Sequence, residues 1–255
     1  MAFPTTPPSP ASSPQLPPRS ALHPTRKLFH CLTGLFFALC CVNLTRRTWT
    51  TTCLVLTVLS FSVELLRVSS PTSQLNKVFM KAFRAFARAS EHSEISGTPY
   101  YMLGMLLASS LFSTAAATVG ILCLACLDPV AAMAGTLADA DMPAARLRNG
   151  KSLAGFVCAA GAGAAVAAVT LAQAAATSMS QRYAVAVGIL VGWAGATAEV
   201  MVPTPRVLIG PKRVPFTIDD NAIIPVVAAG VCDALLRIDY HHVQLSPILF
   251  WKASG

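Results

Sequence analysis

Seven apolar runs recur along this chain, and their length constrains its fold more tightly than any motif does. They fall at about 28–44, 49–66, 98–113, 115–134, 153–176, 183–202 and 222–236, close to the ~17–25 residues a helix needs to cross hydrocarbon. A backbone in lipid finds no water to bond, so each run must close its own hydrogen bonds as a helix. The last run is short, and reads either as a re-entrant segment or as one continued into the tail, with the apolar Val243–Trp251 stretch expected in the interface. With 54% hydrophobic residues, 12% charged and a mean hydropathy of +0.59, no soluble globular domain fits between the runs. The expected fold class is all-α, a polytopic membrane helix bundle of about seven transmembrane segments.

Residues 1–24 hold eight prolines and one arginine with no acid, a composition that cannot bury a core. The expected organisation is a disordered Pro-rich segment over 1–25, a transmembrane domain over 26–236 and a tail over 237–255. An organelle transit peptide is a second reading of the leader, although the amphipathic Arg-rich pattern is missing. All eight cysteines lie in apolar or helix-forming runs, which suits small hydrophobes in a bundle rather than disulfides. Cys123 and Cys126 form a C-x-x-C inside a span without a second ligand pair, so packing explains them better than a metal does.

The net charge of +8 matters here through its distribution. Seven spans put the N-terminus and the segments 67–97, 135–152 and 203–221 on one side. That side carries Arg19, Arg26, Lys27, Arg67, Lys77, Lys81, Arg84, Arg88, Arg146, Arg148, Lys151, Arg206, Lys212 and Arg213, leaving Arg46, Arg47, Arg182, Arg237 and Lys252 for the other. The positive-inside rule makes the richer side cytosolic. Between the second and third runs, Asn76 to Ala89 alternates Lys77, Lys81, Arg84 and Arg88 with Val78, Phe79, Phe83 and Phe86 at helical spacing. This predicts an amphipathic helix, either interfacial and drawn to anionic headgroups or packed on the bundle.

At about 1.5 Å per residue, His30, Glu64, Asp128 and Glu199 all fall near the cytosolic ends of their spans, where Asp219, Asp220 and Asn221 open the last one beside Lys151. Polar groups inside a membrane default to function, and their gathering at one depth suggests a site open to a polar cytosolic substrate and to a lipid arriving sideways. Interfacial placement remains an equal reading for His30 and Glu64, and a structural pair with a loop arginine for Glu199. Asp233 falls at the opposite end and reads as structural. Asp128-Pro129 ends an apolar run with an acid that needs a metal ion, a phosphate or water as partner. Gly150-Lys151-Ser152 is not a Walker A, because the first glycine of that motif would stand at Ala145. Gly161 and Gly163 suit close helix packing, and the sequon at Asn43 sits at the membrane edge.

In order along the chain stand Arg26-Lys27-Leu28-Phe29-His30, Glu64 with Arg67, Ser96-Gly97-Thr98-Pro99-Tyr100-Tyr101, Asp128-Pro129-Val130-Ala131-Ala132 with Gly135, Gly150-Lys151-Ser152-Leu153-Ala154-Gly155, and Asp219-Asp220-Asn221 running to Pro225. Together these pieces resemble the CTP-dependent lipid kinases, the family of dolichol kinase, phytol kinase and the fungal CTP-using diacylglycerol kinase. In that family a second glycine follows Gly135 by some four residues; here the position is Asp139.

The resemblance implies that 26–236 is a lipid kinase domain moving the γ-phosphate of CTP to a lipid hydroxyl, diacylglycerol first and a polyprenol second. It further implies Mg²⁺ (or Ca²⁺) on Asp128 and Asp220, with Asp219 or Glu199 as base. Lys151 would hold the phosphates, with Gly135, Gly150, Ser152, Gly155 and Asn221 around the nucleotide. Arg26, Lys27, His30, Glu64, Arg67, Gly97, Thr98 and Tyr101 would face the lipid or the interface. The implied location is the endoplasmic reticulum membrane with a cytosolic active face, a plastid membrane being the lesser reading. Nothing implies a nucleic acid or an obligate protein partner. Two competing classes remain: the phosphatidate cytidylyltransferases, whose signature is absent, and a non-catalytic transporter or assembly protein, whose acids would appear at several depths.

Overall fold

The computed structural model describes residues 24–70, 73–87, 89–92, 94–141, 145–147, 150–174, 179–202, 208–209, 216–217 and 219–239. The Pro-rich segment up to residue 23, the tail from 240, and Arg19, Arg88, Arg148, Arg206, Lys212, Arg213 and Lys252 lie outside them. The chain forms α1 (Pro24–Asn43), α2 (Arg46–Ser69), α3 (Gln74–Ala82), α4 (Gly97–Leu111), α5 (Thr114–Asp141), α6 (Leu153–Ala174), α7 (Gln181–Met201) and α8 (Asp220–Asp239). A 3₁₀ turn at Ala89–His92 and a two-residue antiparallel ladder pairing Leu208 with Thr217 complete it. Six of the helices are long and apolar enough to cross a membrane.

Each apolar run became a helix because only a helix satisfies its backbone in hydrocarbon. Several begin on a hydroxyl cap: Thr45 accepts from Thr48 N at 3.2 Å, Ser73 from Asn76 N at 3.2 Å, and Ser180 from Tyr183 N at 3.2 Å. Such caps satisfy donors that the first turn leaves open.

Helix α5 is the centre. Its Val119, Ile121, Leu124 and Leu127 are buried, and α1, α6 and α8 pack around it while α7 closes against α6 and α8. Helix α2 leans on α4 and meets α1 only sparingly. Leu28, Leu32, Leu35 and Phe36 of α1, and Leu54, Val55, Val58, Leu59, Val63 and Leu66 of α2, face outward. An apolar surface this continuous is stable against acyl chains, not water.

Small residues bring the helices close. A Cβ on Gly192 would stand 2.3 Å from Ala164 N, one on Gly34 2.4 Å from Ala125 Cβ, and one on Gly120 2.3 Å from Pro225 O. In lipid such backbone approach supplies the packing that hydrophobicity cannot.

Two expectations need correction. The short helix is not the last run, since α8 has 20 residues with Pro225 inside it, but α4, with 15. At about 1.5 Å per residue α4 is ~22 Å long. It still joins the two ends of the bundle, with Ser96 beside Glu64 at one end and Ser109 Oγ accepting from Trp49 Nε1 at 2.8 Å at the other. Tyr100, Tyr101, Met105 and Ala108 are buried along it, so it is sheltered by protein and its shortness costs little. The second correction concerns the basic segment, which is not helical throughout 76–89. Helix α3 stops at Ala82, and Phe86 N and Ala87 N both bond Phe83 O at 2.8 Å. That turn carries Phe86 under Phe29, with ring centroids 4.9 Å apart, and fastens the segment to α1. Tertiary packing overrides the helical spacing.

Candidate functional site

The N-terminal turn of α1 lies along the C-terminal half of α5. Lys27 Nζ donates to Asp128 Oδ1 at 2.6 Å, and His30 Nε2 stands 3.1 Å from Leu124 O. Lys27 is buried at 8% exposure although it carries a charge, which only a paired cation tolerates. Pro129 follows Asp128 within α5. Having no N–H, it leaves a helical carbonyl one turn back without its usual donor.

A second lysine and carboxylate face each other across α6 and α7. Lys151 Nζ donates to Glu199 Oε1 at 2.7 Å and also to the Glu199 carbonyl. Lys151 is placed by a tight connection: Leu147 N donates to Lys151 O at 2.7 Å, Gly150 N to Leu147 O at 2.8 Å, and Leu153 N to Ala145 O at 2.9 Å. Gly150 has φ +82°, a conformation that glycine adopts without penalty. The other glycines here serve contact. A Cβ on Gly135 would meet Ser152 Cβ at 3.2 Å, and one on Gly155 would meet Ala131 O at 2.7 Å.

Helix α8 opens beside these pairs. Asp219 is its cap: Oδ1 accepts from Asn221 N at 3.0 Å, and its carbonyl accepts from Ala222 N at 3.1 Å. Asp220 Oδ1 also accepts from Asn221 N at 3.0 Å. Asp219 is 2% exposed, whereas Asp220 is half-buried. Asn221 Nδ2 reaches Gly97 O at 3.5 Å, and a Cβ on Gly97 would strike that amide at 2.7 Å.

The groups form one electrostatic cluster. Glu199 lies within the fields of Lys151, Asp220 and Asp128, and His30 within those of Asp128, Lys27 and Asp220. Six side chains, Lys27, His30, Asp128, Lys151, Glu199 and Asp220, from four helices and one connection therefore converge at one end of the bundle. At the start of α6, Ser152 Oγ accepts from Gly155 N at 3.4 Å, so one donor of that first turn is taken by the chain itself. Glu199 pairs with Lys151 rather than with a loop arginine.

Several residues expected to face lipid or the interface do not. Arg67 and Glu64 are 0% and 3% exposed and form a two-pronged pair, Nε to Oε1 at 3.0 Å and Nη2 to Oε2 at 2.6 Å. Glu64 Oε2 also accepts from Ser96 N at 2.7 Å, and Arg67 donates to Asn76 Oδ1 at 3.0 Å and Glu94 O at 2.7 Å. This is a clasp holding the α2–α4 connection, with Arg67 stacked 4.9 Å from the centre of the Phe79 ring. Arg26 pairs with Glu91 at 2.7 Å and so ties α1 to the same connection. Gly97 and Tyr101 are buried, and Thr98 is exposed. The Tyr101 hydroxyl is buried without a hydrogen-bond partner among the described residues, against Gly34 and edge-on to His30 at 4.9 Å.

Lys27 as the partner of Asp128 was not anticipated. The two are 101 residues apart, and no local spacing signals the pair. Among the described residues, no three His, Cys, Asp or Glu stand close enough to enclose a metal ion. A nucleotide-borne Mg²⁺ asks for less, one or two carboxylates beside substrate phosphates, and Asp128 and half-buried Asp220, both within the fields of Glu199 and His30, are groups of that kind. At the opposite end, Asp233 Oδ1 accepts from Ser113 N at 2.9 Å and Oδ2 from Arg237 Nε at 2.6 Å. The chain matches no protein-family model, no curated protein and no solved structure.

Proposed function

We propose that this chain is an integral membrane lipid kinase that transfers the γ-phosphate of CTP to a lipid hydroxyl, with diacylglycerol as acceptor and phosphatidate and CDP as products. The observation that carries the reading is the gathering of Asp128, Glu199 and Asp220 with Lys27 and Lys151 at one end of a bundle whose outer helices are lipid-facing. Phosphoryl transfer asks for positioning and charge neutralisation more than for covalent catalysis. Acids that carry a divalent ion and lysines that hold phosphates supply both. CTP as the donor, and diacylglycerol ahead of a polyprenol, rest on the resemblance to the CTP-dependent lipid kinases.

Each lysine already faces an anion, so incoming phosphate oxygens compete with Asp128 and Glu199 for Lys27 and Lys151. The exchange turns Asp128 toward Asp220, and these two would hold Mg²⁺, which neutralises charge on the phosphates when bound. The lipid hydroxyl oxygen attacks the γ-phosphorus, the bond to the β,γ-bridging oxygen breaks, and CDP leaves. Glu199, released by Lys151, takes the hydroxyl proton, because Asp219 is committed to capping α8. The basic asymmetry of the loops favours the cytosolic face for this end, and the endoplasmic reticulum membrane follows from the resemblance to the CTP-dependent lipid kinases.

The test is transfer of labelled γ-phosphate from CTP, with ATP alongside, to diacylglycerol and separately to polyprenols, in membranes carrying the wild type or Asp128→Ala. Phosphatidate formed from CTP, lost by ~10²–10³-fold in the variant and abolished by a chelator, is the expected result. No transfer to any acceptor by correctly inserted protein overturns the kinase. Release of pyrophosphate rather than CDP reassigns it to cytidylyl transfer.

A further inference from the structure

Helix α3 presents three kinds of surface. Inward, Asn76 is buried, donates to His92 O at 3.2 Å and accepts from Arg67, while Phe79 lies under the Arg67 guanidinium. At about 100° per residue, the outer half divides in two. Lys77 and Lys81 fall on one side, Leu75 and Val78 on the other, and all four are exposed. Phe83 and Arg84 continue the pattern into the turn. Between Glu64 and Glu91 the chain has no acid, so nothing local neutralises the lysines. A helix turned wholly to water has no use for Leu75 and Val78 on its outside, and one facing the hydrocarbon core would not carry the lysines. The zone where acyl chains meet headgroups suits both halves at once. The clasp at Arg67 holds α3 between the ends of α2 and α4, at the edge of the lipid-facing belt.

We propose that the outer half of α3 is a docking surface for anionic phospholipid headgroups of the same leaflet. Lys77 and Lys81 hold the headgroup phosphate, and Leu75 and Val78 enter the first acyl carbons. Anionic lipid is favoured over zwitterionic lipid because the surface offers cations without a neighbouring carboxylate. The docked helix bears on Arg67, which also holds the Glu91 carbonyl, and the Glu91 carboxylate holds Arg26 beside Lys27. Lipid composition at the membrane surface thereby reaches the candidate site through four named side chains.

The test is hydrogen exchange of segment 74–82 in the full chain, held in bilayer discs of phosphatidylcholine alone or with about one fifth phosphatidylserine. Exchange of α5 in the same sample serves as the control for folding. The anionic lipid is expected to slow the segment by up to about fivefold for each lysine. High salt, or Lys77→Gln with Lys81→Gln, removes the difference while α5 stays protected. Equal exchange in the two discs overturns the proposal, as does slowing that persists without both lysines. Inorganic phosphate producing the same slowing in neutral discs overturns it too, by showing a small-anion pocket in place of a lipid surface.

Discussion

Arg67 makes five hydrogen bonds and touches neither water nor lipid: two to Glu64, one to Asn76 and two to the carbonyls of Glu91 and Glu94. A buried pair of this kind adds little net stability over an apolar substitute, but removing one partner strands the other. Arg67→Met is therefore expected to cost ~3–5 kcal/mol, read by reversible denaturant titration in mixed micelles. Adding Glu64→Gln recovers part of that loss. A double variant as unstable as the two single losses added together would show that Glu64 and Arg67 act separately. The spacing of Glu64 and Arg67 was legible in the sequence, one helical turn apart, but their role was not. Their burial depends on a connection of some thirty residues folding back over them. The same holds for Lys27 and Asp128, where the motif located each residue and only the α1–α5 crossing shows that they meet.

Helix by helix, the hydrophobic pattern was the strongest signal, because in lipid the length of an apolar run and its conformation are almost the same fact. It failed where protein rather than lipid surrounds the chain. Helix α4 is shorter than a span since its neighbours cover it, and α3 ends early since Phe86 has a partner on α1. Contact between helices is carried by single hydrogen atoms. Gly192→Ala places a methyl 2.3 Å from Ala164 N and 2.4 Å from Ala160 O, and is expected to destabilise by ~1–3 kcal/mol as α6 and α7 are forced apart. Gly161→Ala, on the open face of the same α6 with nothing within 4 Å, is expected to be neutral or to stabilise by up to ~1 kcal/mol through helix propensity. The same micelle titration compares them; equal losses would refute the close crossing.

For the whole molecule, the described residues hold six span-length helices and the sheltered α4 joining the two ends of the bundle, and that odd number has a simple outcome. Pro24 starts α1 at the end holding the candidate site, and Asp239 finishes α8 at the other, where Tyr183 Oη donates to Leu235 O at 2.7 Å. Affinity tags fused to the two termini are expected on opposite sides of sealed vesicles, one cleaved by added protease and one protected. Cleavage of both would mean that α4 does not cross. The separation of 101 positions from Lys27 to Asp128 also sets a schedule for biosynthesis. At ~5–20 residues per second, α1 leaves the ribosome roughly 5–20 s before its acid arrives. For that interval Lys27 and His30 have only headgroups and water to answer them, and α1 waits near the surface with its lysine reaching outward. It settles to its final depth when α5 is threaded beside it, so the seating of α1 and the closing of the Lys27–Asp128 pair are one event.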